Sequence, residues 1–201
     1  MDGFKTPAPT ARRHLRAAGI VALVLLLAVG TAACGKKKSD AQLAAEALQA
    51  GLKAHAEGHL SEAQTDYQKV LIYDPQNKFA YYNLGVIDQT QGKAADAEAK
   101  YRQALAIDPN FVDALYNLAI LRTSAGDLSE AQQLYERVIK VNPNYAAAHL
   151  NLGFLLIDEG KKKRGQQELQ TAVSLDPSLS SRVPQEYLPP SGIEPTPSPT
   201  T

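Results

Sequence analysis

Four proline-containing pairs divide this chain at a fixed interval. Asp74-Pro75, Asp108-Pro109, Asn142-Pro143 and Asp176-Pro177 stand 34 residues apart. A constant period in the range of 20–50 residues is the mark of a stacked repeat array, in which each unit buries its apolar face only against its neighbours. Counted from the prolines, the units are 44–77, 78–111, 112–145 and 146–179. Further columns fall into register. Gly58, Gly92, Gly126 and Gly160 share one position, and Gly51, Gly85, Ala119 and Gly153 share another. Ala63, Ala97, Ala131 and Gly165 form a third column, and Tyr67, Tyr101, Tyr135 and Leu169 a fourth.

Each column has a physical reading. The residue before proline avoids the helical region, so the Asp-Pro or Asn-Pro pair ends a helix. The 58/92/126/160 glycines fit a left-handed turn between two helices. The small residues at 51/85/119/153 and 63/97/131/165 fit close helix crossings. Four residues after the second of these columns, one helical turn on, the Tyr/Leu column lies on the same face and fills the space between units. Ser61 with Gln64, and Ser129 with Gln132, read as capping boxes that open second helices. Asn110 and Asn144 read as N-caps of first helices.

The columns resemble the tetratricopeptide repeat, whose pattern runs Leu-Gly, then Ala-x-x-x-Phe/Tyr, then Pro. Here it is Leu84-Gly85, Ala97, Tyr101 and Pro109, repeated as Leu118-Ala119, Ala131, Tyr135 and Pro143. Four units span residues 44–179. The resemblance implies an all-α fold, an α-solenoid of four tandem 34-residue helix-turn-helix units. The chain departs from the pattern in several places. The aromatic usual three residues after the Leu-Gly pair is Ala54, Asp88, Arg122 and Leu156. Ala50 replaces leucine in the first unit, and Gly165 replaces alanine in the last. The end units are expected to be the least stable, as in any one-dimensional stack. Little room remains for an extra capping helix before Pro184, so Tyr187 and Leu188 are expected to fold back onto the last unit.

In this family the first helix of each unit lines a concave groove. By that resemblance the groove would carry Leu48, Tyr82, Tyr116 and Leu150 at one position of the unit. Gln49, Asn83, Asn117 and Asn151 follow at the next, and Leu52, Val86, Ile120 and Phe154 lie one turn further on. An apolar strip beside a ladder of amides suits an extended or helical peptide, since asparagine bonds both the N–H and the C=O of a backbone. Tyr-Asn is also common framework in such repeats. Some members clamp a C-terminal carboxylate with Lys and Asn in one unit, Asn in the next, and Lys with Arg in a third. The matching places here hold Leu48, Leu52, Asn83, Asp113 and Asn117, and only Asn83 agrees. A chaperone-tail clamp is therefore not expected.

No catalytic constellation is visible. His55 and His59 have the spacing of helix-borne metal ligands, but Gly58 interrupts the helix between them and no third ligand is evident. Gly160-Lys-Lys-Lys-Arg164 lacks the glycine spacing and the terminal Ser/Thr of a phosphate loop. Lys plus Arg is 21 and Asp plus Glu is 21, so no net basic charge invites nucleic acid. The expectation is no enzyme, no metal, no cofactor, no small-molecule substrate and no nucleic acid. A protein or peptide is the expected partner.

The ends differ from the repeats. Residues 1–16 hold Lys5, Arg12, Arg13 and Arg16 against one acid, Asp2, and Ala17 to Cys34 carries no charge. A basic region, an apolar run and small residues compose an export signal over residues 1–33. Thr31-Ala32-Ala33-Cys34 resembles the lipobox of bacterial lipoproteins, with Thr31 where that pattern most often has leucine. The resemblance implies lipidation of Cys34, the single cysteine, after cleavage before it. The alternative is an uncleaved single-pass helix over residues 17–34. As a helix the segment 17–33 would reach about 25 Å, a little short of a hydrocarbon core of about 30 Å. As a lipoprotein the chain would be exported and anchored to the membrane at the cell envelope; as an uncleaved helix it would be a single-pass membrane protein. Residues 34–43, with Lys36, Lys37 and Lys38, read as a basic linker. Six prolines between Pro184 and Thr201 mark residues 180–201 as a Pro-rich disordered tail. The functional expectation is a non-catalytic scaffold or adaptor. The alternative is a self-associating structural spacer, stacked end to end through a poorly capped last unit.

Overall fold

The computed structural model describes residues 37–188. The chain divides into two units, Met1–Lys38 and Ser39–Thr201. Only Lys37 and Lys38 of the first are described, so the export signal, Cys34 and the span 17–34 lie outside the described residues. Among the described residues no helix is long and apolar enough to cross a membrane.

Among the described residues eight α-helices form four hairpins: α1 (Asp40–Ala56) with α2 (Leu60–Tyr73), α3 (Lys78–Thr90) with α4 (Ala94–Ile107), α5 (Val112–Ser124) with α6 (Leu128–Val141), and α7 (Ala146–Asp158) with α8 (Lys162–Leu175). No strand occurs among the described residues. The α-solenoid is thus observed. Its first helix begins inside the stretch read as linker. Ser39 accepts from Gln42 N, and the Gln42 side chain returns to Ser39 N, a complete capping box.

Every hairpin turns on its glycine. Gly58, Gly92, Gly126 and Gly160 have φ of 79°, 75°, 81° and 81°. In the first, Gly58 N bonds His55 O at 3.0 Å and His59 N bonds Ala54 O at 2.8 Å. These two bonds define a Schellman motif, and the same pair recurs in the other three hairpins. The motif also fixes the start of the next helix at the residue after glycine: His59, Lys93, Asp127 and Lys161 are the N-caps. Ser61 and Ser129 therefore fall one place inside their helices and do not cap them. Asp127 caps with its own side chain, accepting from Glu130 N.

The proline turns are built differently from expectation as well. Asp74, Asp108, Asn142 and Asp176 each accept the backbone N–H two residues on, at 3.0–3.3 Å. This Asx turn consumes the N–H of Asn110 and of Asn144 and places the N-cap one residue later. The caps are Asn77, Phe111 and Tyr145, of which only Asn77 accepts through its side chain. Asn110 and Asn144 are turn residues, not caps.

The small-residue columns mark closest approach. A Cβ on Gly51 would lie 2.7 Å from Tyr67, on Gly85 2.7 Å from Tyr101, and on Gly153 2.7 Å from Leu169. Tyr67, Tyr101 and Leu169 are fully buried, and Tyr135 is 1% exposed. The stack does not end open at the fourth hairpin. A 3-10 turn, Pro177–Arg182, and a shorter one, Gln185–Tyr187, run on from α8. Leu179, Val183, Tyr187 and Leu188 pack with Leu150, Leu169 and Ala172. Gln170 donates to the Tyr187 carbonyl at 3.2 Å. Tyr187 and Leu188 thus fold back onto the last unit. Residues 180–188 are structured rather than part of a disordered tail, because Val183, 5% exposed, has an apolar seat to fill. The last hairpin is covered, which removes the open end assumed for end-to-end stacking.

Candidate functional site

The first helices of successive hairpins are tied by tyrosine and asparagine. Asn117 Nδ2 lies 3.4 Å from the hydroxyls of both Tyr82 and Tyr101. One repeat later Asn151 Nδ2 donates to Tyr116 at 3.1 Å and to Tyr135 at 3.4 Å. The amide groups read as a ladder for a partner's backbone are therefore already bound within the stack, through their N–H groups. Asn83 has Leu48, not tyrosine, in the preceding unit and turns to the Phe79 carbonyl at 2.8 Å.

The buried tyrosines have a second partner that column reading missed. Each meets the side chain twelve residues earlier: Tyr67 with His55 at 3.4 Å, Tyr101 with Gln89 at 2.6 Å, and Tyr135 with Thr123 at 3.4 Å. In the fourth hairpin the corresponding pair is Ile157 and Leu169, and both sides are apolar. The signal was present in the sequence as a correlated change of two columns. It also accounts for His55, which packs edge-on to Tyr67 at 6.2 Å. His59 faces Glu57 and Glu62 instead, at 3.8 Å each. Among the described residues no cluster of His, Cys, Asp and Glu could hold a metal ion.

Aromatic side chains link the repeats. Tyr82 lies 5.2 Å from Phe111, and Tyr116 lies 4.9 Å from Tyr145. Phe79 meets Phe111 edge-on at 5.5 Å, with Lys78 Nζ 5.0 Å from the Phe111 ring. Phe111 and Tyr145 escaped the sequence reading although they share the column of Asn77. Burial pushes the Tyr67 and Tyr145 hydroxyls up to about 12 and raises that of Tyr101 as well. They stay neutral and able both to donate and to accept.

Of the residues expected to line the groove, Tyr116, Ile120, Asn151 and Phe154 come together. They wall a cavity of about 410 Å³ with Thr123, Leu128, Leu155, Asp158 and Arg182. Leu48 lines a separate depression with Ala41, Ala45, Tyr73 and Asn77. Leu52 is 47% exposed, and Tyr82 and Val86 are half-buried against the central core. Leu150 is a correction. It is 0% exposed beneath Val183, so a partner cannot reach it without displacing the C-terminal segment.

A network of ions supports the second and third hairpins. Arg122 meets Glu98 at 2.9 Å, Asp127 at 2.6 Å and Glu130 at 2.8 Å, while Arg102 bonds the same two glutamates at 2.9 and 2.7 Å. Hydrogen bonding from Arg102, with the charges of both arginines, holds the Glu98 carboxyl below its usual range against a smaller opposing effect of burial. Arg122 stands where the repeat pattern has an aromatic, so charge replaces ring packing there.

Family models of the tetratricopeptide repeat match residues 79–111, 100–133 and 122–183. The chain carries tetratricopeptide repeats. The hairpin α1–α2, ahead of the matched region, has the same glycine turn and the same Gly51–Tyr67 contact as its tetratricopeptide neighbours. No curated protein matches the chain. Among solved structures, MamA is 20% identical with a TM-score of 0.61, over 83% of this chain and 94% of that one. The first repeat domain of Spaghetti (RPAP3), bound to the HSP90 peptide SRMEEVD, is 27% identical with a TM-score of 0.57, over 61% of this chain and 97% of that one. The pilF protein of Pseudomonas aeruginosa is 23% identical with a TM-score of 0.62, over 70% of this chain and 64% of that one.

Proposed function

We propose that the tetratricopeptide stack is a non-catalytic adaptor that holds a partner protein or peptide in its groove while Cys34 tethers it to a membrane. The observation that carries the binding part is the cavity walled by Tyr116, Ile120, Asn151 and Phe154, an apolar hollow with hydrogen-bonding groups at its edge. The RPAP3 domain was solved with a peptide bound, which supports the same use here. The tether rests on the charge-free run that ends in Thr31-Ala32-Ala33-Cys34. An uncleaved helix over 17–34 would serve the same purpose.

Two measurements test the two parts. A photo-crosslinking residue at position 120 should capture a partner in the producing cell, while one at Ile72, on α2 and 74% exposed, should not. Equal capture at both positions sinks the groove reading. For the tether, the intact mass should begin at residue 34 with added acyl chains and lose them in Cys34→Ser. A full-length mass, membrane-bound in both proteins, would replace the lipid with the helix.

A further inference from the structure

The cavity of the third and fourth hairpins has one wall that does not come from the repeats. Arg182, the last residue of the 3-10 turn Pro177–Arg182, lines it beside Tyr116, Ile120 and Phe154. The backbone there is held from both sides. Asp176 caps the start of the turn by accepting from Ser178 N, and Val183, the next residue after Arg182, is 5% exposed in the terminal apolar cluster. The arginine is thus fixed at its base, and the residue is exposed.

Among the described residues its head has no partner. Among the described residues Arg102 and Arg122 share Glu98 and Glu130, Arg137 donates to the Pro109 carbonyl, and Arg164 pairs with Glu136. The Arg182 side chain makes no ion pair and no hydrogen bond with any described residue. Its charge reaches the cavity all the same, where it opposes the effect of burial on Tyr116. A guanidinium beside apolar walls matches a carboxylate, which it can bond through two parallel N–H groups. Asp158 also lines the cavity and is not paired with Arg182. It would repel a second acid, so the wall selects one negative charge and fixes where that charge sits.

We propose that this cavity takes a peptide segment in which one acidic side chain flanks an apolar one, with Arg182 receiving the carboxylate and Ile120, Leu128 and Phe154 receiving the apolar group. The proposal rests on the groove reading above and names the chemistry of its occupant. The cation comes from outside the repeats, which is why the columns of the repeat do not show it.

The test uses the full chain and a displayed library of random heptapeptides. Selected peptides should carry a single Asp or Glu beside an aliphatic or aromatic residue. As fluorescein conjugates in an anisotropy titration, they should bind Arg182→Gln about tenfold more weakly or worse, with Arg182→Lys in between. Affinity for the wild type should fall with added salt. Circular dichroism checks that the variants are folded. Peptides that lose affinity to Phe154→Ala but not to Arg182→Gln overturn the assignment of Arg182 and leave the groove in place. Peptides indifferent to both variants, or a selection that yields no binder, overturn the groove as well. If sedimentation shows self-association of the wild type that Arg182→Gln abolishes, the occupant is a second copy of this chain and the proposal of a partner segment falls.

Discussion

Gly85→Ala should change sign with its neighbour. A methyl on Gly85 would lie 2.7 Å from Tyr101 Cε1, 2.9 Å from Cδ1 and 3.2 Å from the Lys100 Cβ, where ordinary contact begins at 3.4 Å. The ring would have to retreat by roughly 0.7 Å. It has nowhere to go, because Tyr101 is 0% exposed, bonded to Gln89 at 2.6 Å, and flanked by Tyr82 at 5.9 Å. Helices α3 and α4 must separate instead. Overpacking of this kind costs about 1–3 kcal/mol. Exchanging glycine for alanine inside a helix returns about 1 kcal/mol. The net is a loss of up to about 2 kcal/mol. With Tyr101→Ala in place, itself costing about 3–5 kcal/mol, the ring is gone and the same methyl should stabilise. The coupling between the two sites should therefore be about 1–3 kcal/mol, read as a double-mutant cycle from urea unfolding followed at 222 nm. Ala119 holds the same place in the third hairpin, so a methyl is admissible when a hairpin is assembled around it. If Gly85→Ala stabilises the wild type, or costs the same in both backgrounds, the close approach is not what selects glycine here.

Gly92→Ala should cost about 1–2 kcal/mol through its φ of 75° alone, since nothing lies within 4 Å of the added carbon, and Gly92→Asn should cost less in the same urea titration. His149, 6% exposed, should make stability fall as pH rises. Its Nδ1 donates to Glu168 at 2.7 Å and its Nε2 to the Pro143 carbonyl at 2.9 Å, and both partners are acceptors, so both bonds need the protonated ring. Burial lowers its pKa, but the Glu168 bond, the Pro143 bond and the Glu168 charge together raise it above 6.5. The contribution is therefore complete below pH 6.5 and is lost as pH climbs through the raised value; identical pH profiles of the wild type and His149→Gln would refute this. Arg122→Leu should lower the melting temperature at low salt, with the deficit shrinking in high salt as screening weakens its three carboxylate contacts in the wild type. Ending the chain at Leu175 should uncover Leu150 and Leu169, lower the melting temperature and speed amide exchange in α7 and α8; unchanged exchange would mean the terminal segment contributes nothing to the stack.

Much of the fold was legible because its rules are local. A left-handed backbone after a first helix demands glycine, and an extended residue before proline ends a second one. Both recur every 34 residues as plain letters. The cap assignments failed for an equally local reason. Ser61 and Asn110 are good capping residues, but the Schellman turn had already put the cap two positions before Ser61, at His59, and the Asx turn one position after Asn110, at Phe111. The site was less legible. Asn117 and Asn151 looked like donors for a partner, and only the stacking of one hairpin on the next shows that their N–H groups meet tyrosine hydroxyls.

By itself the sequence determined the period, the two turns of every unit, the small residues at helix crossings and the large ones opposite them. Steric exclusion and side-chain volume act between residues close in the chain, so they are written there. Only the tertiary structure decided which polar groups are already occupied, that Leu150 lies under Val183, and that Arg182 stands in the wall of the groove. The first depends on one hairpin stacking on the next, and the other two on a segment outside the repeat folding back over it. Burial and hydrogen-bond occupancy are properties of the assembled neighbourhood, which no single column of the repeat contains.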